Sequence, residues 1–268
     1  MSSFSIKGFF DSHIHPGPDI VPRCGGDVEI ARGARAAGLA GIVIKNHIFP
    51  TGARALTAGR TVSGIRVVGG IVLNMILGFT NRKAVEYAFS MGARILWCPT
   101  KDARRFEDAW INGYIDREAL IGCFQTVFEY DGTLSTGHLR GTVLREVVEL
   151  ALESGVTRVV LNHPDSASVA LSSDEQEAYG ALPGVWLERC YLHTLKLVKE
   201  PVLVATIVER IRRTGVDKNL ISTDLGRAGA PFPWDGLWDW CLSLMENGLS
   251  QNEIEILGRH NPEALFFR

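Results

Sequence analysis

Six of the seven histidines in this 268-residue chain stand at or just beyond short apolar runs, and two of them are one residue apart. In Asp11-Ser12-His13-Ile14-His15, the positions of His13 and His15 are i and i+2, so in an extended chain both imidazoles point to one face and can address one ion. Groups of related chemistry recur along the chain: Lys45-Asn46-His47, His138, Asn162-His163, His193 and Asp224. Neutral imidazole is a good ligand for zinc and similar divalent ions, and an open coordination position lets such an ion acidify a bound water. A carboxylate such as Asp224 beside that water can take its proton. These parts describe metal-assisted hydrolysis.

For such residues to meet, the segments that carry them must end at one place. The apolar segments are short, rich in Val and Ile, and separated by stretches of helical period, the signature of buried parallel strands and crossover helices. Eight strands are expected, at Ile6 to Ser12, Gly41 to Ile44, Arg66 to Leu73, Arg94 to Cys98, Thr133 to Thr136, Thr157 to Asn162, Val185 to Cys190 and Asn219 to Thr223. Helices are expected near Val28 to Ala37, Thr51 to Gly59, Asn81 to Met91, Gly141 to Glu153 and Asp174 to Ala181, and from beyond Pro201 to Gly215. Two more, Trp234 to Asn247 and Gln251 to Leu257, close the chain. The rhythm breaks after the fourth strand. Residues 99 to 135 read as a loop insertion with a small hairpin, Val127 to Leu134, around Asp131-Gly132, a strong two-residue turn signal.

Eight strand-helix units without a Gly, Ser or Pro linker predict a single (β/α)8 barrel over residues 1–268. The competing doubly wound open sheet would usually carry a Gly-rich phosphate turn after its first strand, and none stands there. In a barrel the site lies at the carboxyl ends of the strands, where six of the histidines fall.

Composition narrows the partners. Lys and Arg number 28 against 30 Asp and Glu, which gives no broad basic field for a run of phosphates, so a small molecule is expected rather than nucleic acid. The five cysteines are scattered without a CxxC spacing, which predicts neither disulfides nor a zinc ribbon and suits a reducing cytoplasm. MSSFSIKGFF has no apolar signal core, and no run approaches the roughly 18 apolar residues of a membrane helix, so no membrane role is expected. Nothing in the sequence assigns an oligomeric state.

Phe10-Asp11-Ser12-His13-Ile14-His15-Pro16, His138, His163-Pro164, Ser222-Thr223-Asp224 and Asn261-Pro262-Glu263-Ala264-Leu265-Phe266 together resemble the amidohydrolase superfamily of metal-dependent barrel enzymes. The resemblance runs over nearly the whole chain. It implies His13, His15, His138, His163 and Asp224 as ligands of one or two divalent ions, zinc foremost and manganese second, with Asp224 also the proton acceptor. It further implies hydrolysis of an amide, cyclic imide, lactone or ester of a small polar molecule. Decarboxylation of a small aromatic acid, phosphoester hydrolysis and an inactive barrel that binds a partner are the alternatives.

One departure bears on the number of ions. The fourth strand, Arg94 to Cys98, ends without the Lys or Glu that bridges two metals in that family, and Lys101 falls beyond Pro99. Lys45 and Glu188 are the nearest substitutes. Lys45 could be carboxylated and bridge, or stay cationic and hold an anionic substrate. Glu188 alternates with Trp186 and Cys190 and should face into the barrel, as a bridge, a substrate contact, or a buried carboxylate paired with Lys45 or Arg189. His47 is read as a ligand or substrate donor, and His193 and Arg227 as substrate contacts. Lys101, Arg104 and Arg105 form a second possible anion clamp. Asp11, two residues before His13, is expected to point the same way, as an acceptor behind the ligands.

Overall fold

Runs of four or five residues such as Gly41-Ile42-Val43-Ile44 are buried at every position, as strands covered on both faces must be. The structure, a computed structural model, describes residues 4–267. In chain order it contains β1 (Phe10–Ile14), α1 (Asp27–Ala36), β2 (Gly41–Ile44), α2 (Gly52–Thr61), β3 (Arg66–Val72), α3 (Arg82–Ser90) and β4 (Ala93–Trp97). These are followed by α4 (Ala103–Ile111), α5 (Arg117–Glu129), β5 (Thr133–Ser135), α6 (Gly141–Glu153), β6 (Val159–Leu161), α7 (Ser173–Gly180) and β7 (Val185–Cys190). The chain ends with α8 (Val204–Thr214), β8 (Asn219–Ser222), α9 (Pro233–Glu246), α10 (Gln251–Glu255) and α11 (Asn261–Phe266). No helix among the described residues is long and apolar enough to cross a membrane.

The strands lie in the order β1 to β8, each parallel to its neighbour. The circle closes just beyond the regular strands, where Ile14 bridges Leu225, His13 O accepts from Asp224 N at 2.8 Å and Leu225 O accepts from His15 N at 2.8 Å. The (β/α)8 barrel expected from the alternation is therefore the fold, and its closing bonds involve the backbone of His13, His15 and Asp224.

Helical spacing fixes the outer ring. In α6, Val143, Leu144, Val147, Val148 and Ala151 recur at three- and four-residue intervals and are buried against the sheet. Inside, Phe10, Val43, Val72, Ile95, Trp97, Val160 and Leu220 fill the barrel. The floor is closed by the residues around the end of α11: Thr133 Oγ1 donates to Leu265 O at 2.6 Å, Arg66 Nη1 donates to Phe267 O at 2.7 Å, and the Phe10 and Phe267 rings stand 4.5 Å apart. With the lower barrel filled and sealed, six of the histidines gather at the upper end, where the strands finish. Trp97 marks the boundary, with Lys45 Nζ 5.3 Å above its ring.

One expectation is corrected. Residues 103–129 contain no hairpin; they form α4 and α5, an extra helix and the crossover helix of the fourth unit. The apolar residues of this stretch have helical period and are buried: Ala103, Phe106 and Trp110 in α4, and Leu120, Cys123, Phe124 and Val127 in α5. Asp116 caps α5 by accepting from Ala119 N at 3.0 Å. Asp131, at φ 49°, and Gly132 only turn the chain from α5 into β5. Boundaries also move, most of all at the two ends of the chain. β1 starts later than expected, so His13 lies within the strand, and the last predicted helix is α10 continued through a π-helical turn, Ile256–His260, into α11.

Candidate metal centre

His13 and His15 share the end of β1, and the spacing argument holds for them: His13 Nε2 and His15 Nε2 lie 3.2 Å and 3.1 Å from the same oxygen, Asp224 Oδ1. Asp11 does not join them. The β1–β2 register shifts between Asp11 and Ile14, which breaks the simple alternation. The Asp11 carboxylate is spent on β8, accepting from Thr223 N at 3.0 Å and Thr223 Oγ1 at 2.5 Å, and from His13 N at 3.2 Å. Burial pushes its pKa up to about 7, against those hydrogen bonds.

Asp224 follows β8 and His163 follows β6, and both have left-handed backbones, at φ 55° and φ 28°. Non-glycine residues rarely adopt this region, and such strain concentrates at functional sites. Gly226 lets the loop after β8 lie against β1: at φ 128°, a Cβ there would come within 2.2 Å of His15 O.

Two sets of three ligands converge on the Asp224 carboxylate. His13, His15 and Asp224 form one, and His163, His193 and Asp224 the other. His193 comes from the 3-10 turn Tyr191–Thr194 after β7, and its Nε2 lies 3.3 Å from Asp224 Oδ2. That nitrogen is buried and has no hydrogen-bond partner, so the approach has the distance but not the direction of an N–H···O bond. A cation among these nitrogens and oxygens would satisfy it. A third group, His13, Glu188 and Cys190, shares His13 with the first; burial and the nearby Glu188 push the Cys190 thiol well above its ordinary value.

The electrostatics favour ligation. Burial lowers the pKa of His15 to about 4, that of His138 to about 3 and that of His163 well below its usual range, so these rings are neutral and keep a lone pair. Burial alone would raise Asp224, but the adjoining rings of His13, His15 and His193 hold it well below the usual carboxylate range. The donor set therefore fits a divalent ion of the zinc or manganese type.

Behind the ligands, hydrogen bonds fix the rings. Glu188 Oε2 lies 3.1 Å from His13 Nδ1 and accepts from Asn162 Nδ2 at 2.7 Å, while Glu188 Oε1 accepts from Ser222 Oγ at 3.0 Å. His163 Nδ1 lies 3.0 Å from Ser166 Oγ. Lys45 is wholly buried, with Nζ 3.1 Å from His13 Nε2, and burial lowers its pKa against the pull of Asp224 and Glu188.

Other residues named from the sequence fall around this pair of clusters. His138 sits in the turn after β5, its ring 4.9 Å from that of His163, but it belongs to neither cluster. His47 stacks on His15 at 4.7 Å and is held at Nδ1 by Thr100 Oγ1, 2.9 Å away. Above them opens a cavity of about 450 Å³ lined by His15, His47, Asp224 and Arg227 together with apolar residues. Lys45 and Glu188, expected as substrate contacts, lie beneath His13 and do not line it. A groove of similar volume, about 440 Å³, between α6 and α7 has no histidine among its lining residues, so the chemistry belongs to the mouth cavity. Sequence reasoning read His193 as a substrate contact, and the structure brings it to Asp224 beside His163; it did not find Asn162, Ser166 and Ser222 as supports, and the position of His193 three residues beyond β7 was the available signal.

A sequence profile described as "Family of unknown function (DUF6282)" matches residues 8–188. No curated protein matches the chain by sequence. Among solved structures, an enamidase described as a new member of the amidohydrolase superfamily superposes with a TM-score of 0.60 at 12% identity, over 97% of this chain and 67% of that one. N-acetyl-D-glucosamine-6-phosphate deacetylase from Mycobacterium smegmatis gives 0.61 at 15% identity, over 97% and 75%. An inactive dihydroorotase-like domain of a Chaetomium thermophilum multifunctional protein gives 0.63 at 12% identity, over 97% and 79%. The expected likeness to amidohydrolase barrels is thus found in the fold, which active and inactive proteins share.

Proposed function

On the premise that this chain belongs to the DUF6282 family, whose matched region carries β1 through Glu188 of β7, we propose that it is a metal-dependent hydrolase of a small polar molecule. The bond cleaved is an amide, cyclic imide, lactone or ester. The observation that carries the proposal is the Asp224 carboxylate, with one oxygen 3.1–3.2 Å from His13 and His15 and the other 3.3 Å from His193. His13, His15 and Asp224 would hold one divalent ion, and His163, His193 and Asp224 a second, with zinc the first candidate and manganese the next. When bound, such ions lower the pKa of a coordinated water and polarise the substrate oxygen.

The chain's own residues do the rest. Asp224 stays ionised, and its Oδ2 is placed to accept the proton of the attacking water and return it to the leaving group. His47, fixed at Nδ1 by Thr100 and lining the cavity, orients the substrate. Glu188 and Ser166 set the faces of His13 and His163. His138 lies beside His163 and buttresses its ring.

The test is a panel of small amides, cyclic imides, lactones and esters, turned over in oxygen-18 water by protein supplied with zinc or manganese. Label in the product is expected. Asp224→Asn should lose turnover by about 100- to 10,000-fold, the range for removal of a positioned acid-base group. Unlabelled product with release of carbon dioxide would reassign the site to decarboxylation, and an Asp224→Asn variant of undiminished rate would remove the proposed proton acceptor.

A further inference from the structure

We infer that the substrate is an anion with an apolar body, its charge held by Arg227; this rests on the hydrolase reading, since it names the substrate class of the same site. Two guanidiniums line the mouth cavity, those of Arg23 and Arg227. Arg23 is already spent: its Nε donates to Asp19 Oδ2 at 2.9 Å and its Nη2 contacts the same oxygen. Arg227 has no carboxylate partner among the described residues. Among the described residues the one carboxylate lining the cavity is that of Asp224, with Oδ1 3.1 Å from His15 Nε2. Arg227 is therefore the one guanidinium on the cavity wall without a carboxylate partner among the described residues.

The side chain is exposed, but its backbone is pinned. Ala228 N donates to Pro22 O at 3.0 Å, Cys24 N donates to Gly226 O at 2.8 Å, and Ala230 N donates to Arg227 O at 3.1 Å. An antiparallel bridge pairs Arg227 with Arg23. The guanidinium is thus presented from a fixed point, which lowers the ordering cost of a bidentate grip on a carboxylate. The rest of the loop is small: Ala228, Gly229 and Ala230 leave room, and a Cβ on Gly229 would meet nothing within 4 Å. Leu192, Leu197 and Val198 from the segment after β7 line the same cavity and supply apolar surface, with Leu197 half exposed. Lys101, Arg104 and Arg105 do not line the cavity, and Arg105 Nη1 is turned to Met75 Sδ at 3.3 Å. Of the two anion candidates read from the sequence, the β4 loop and Arg227, Arg227 is the one that lines the cavity.

Calorimetric titration of the purified protein with hexanoate and, separately, with hexanamide tests this, with metal content measured on the same samples. The wild type should bind hexanoate about tenfold or more tightly than hexanamide. Arg227→Ala should bind the two alike at unchanged metal content, and Arg227→Lys should restore part of the preference. Lys196→Ala, which removes a cation that precedes Leu197 but does not line the cavity, should leave the preference intact. A preference that survives Arg227→Ala, or none in the wild type, overturns the assignment. A preference lost in Arg227→Ala from protein that holds no metal would leave the subsite standing and refute the hydrolase reading.

Discussion

Glu188 Oε2 lies 3.1 Å from Nδ1 of His13, and because Asn162 and Ser222 donate to the same carboxylate, it acts as an acceptor towards the ring. This places the proton of His13 on Nδ1 and leaves the Nε2 lone pair facing Asp224 and Lys45. Glu188→Gln keeps the shape but can present an N–H to Nδ1, which favours the opposite tautomer and blocks Nε2. Zinc affinity should fall about 10- to 100-fold, as for loss of a carboxylate behind a histidine ligand, with the fold retained. Competitive chelator titration, with circular dichroism as the control, measures this; unchanged affinity would show that Glu188 does not set the tautomer.

Asp165 anchors the loop that carries His163 and Ser166. Its Oδ2 accepts from Arg189 Nη1 at 2.7 Å, and its Oδ1 from Arg210 Nη1 at 2.6 Å and Gln176 Nε2 at 3.1 Å. Arg189 is fully buried, and its Nη2 already lacks a partner. Asp165→Asn leaves that guanidinium without its counter-charge and should destabilise the protein by about 3–5 kcal/mol. Urea unfolding reads the difference, and a loss within about 0.5 kcal/mol, the usual span of surface changes, would contradict it.

The barrel was legible because its strands combine short β-branched runs with turn residues, and Gly41–Ile44 and Val185–Cys190 have the predicted limits. The α4–α5 region was not, because the Asp131-Gly132 pair, a hairpin signal in isolation, outweighed the helical spacing of Leu120, Cys123, Phe124 and Val127. His13, His15 and Asp224 were readable from spacing and strand ends. Asp11 was misplaced because one register shift alters the facing of residues along β1. His193 was undervalued because a 3-10 turn, invisible to strand periodicity, folds it back over the barrel mouth.

Glu107 gives a pH-dependent signature away from the metal centre. Burial raises its pKa, while Arg140, whose backbone N–H donates to Oε1 at 3.0 Å, opposes the rise. A carboxyl raised in the folded state binds its proton more tightly there than when unfolded. Its stabilising contribution is complete below the unfolded pKa of about 4.3 and is lost as pH rises through the folded value. Glu107→Gln should remove this component and flatten the fall in unfolding free energy above that pH. At neutral pH the variant should stay within about 1 kcal/mol of the wild type, since the Arg140 side chain is partly exposed and its pairing with Glu107 is screened by solvent. Urea melts from pH 4 to 7 test the slope, and an identical slope in the variant would contradict the assignment.

The most direct test of the central claim is elemental analysis of the protein purified without added metal or chelator, repeated on His13→Ala and His163→Ala. The geometry predicts zinc or manganese in the wild type, about two equivalents if both clusters fill, with each substitution reducing the content by emptying its own cluster first. Wild-type protein that holds neither metal and takes up none on addition would contradict the account.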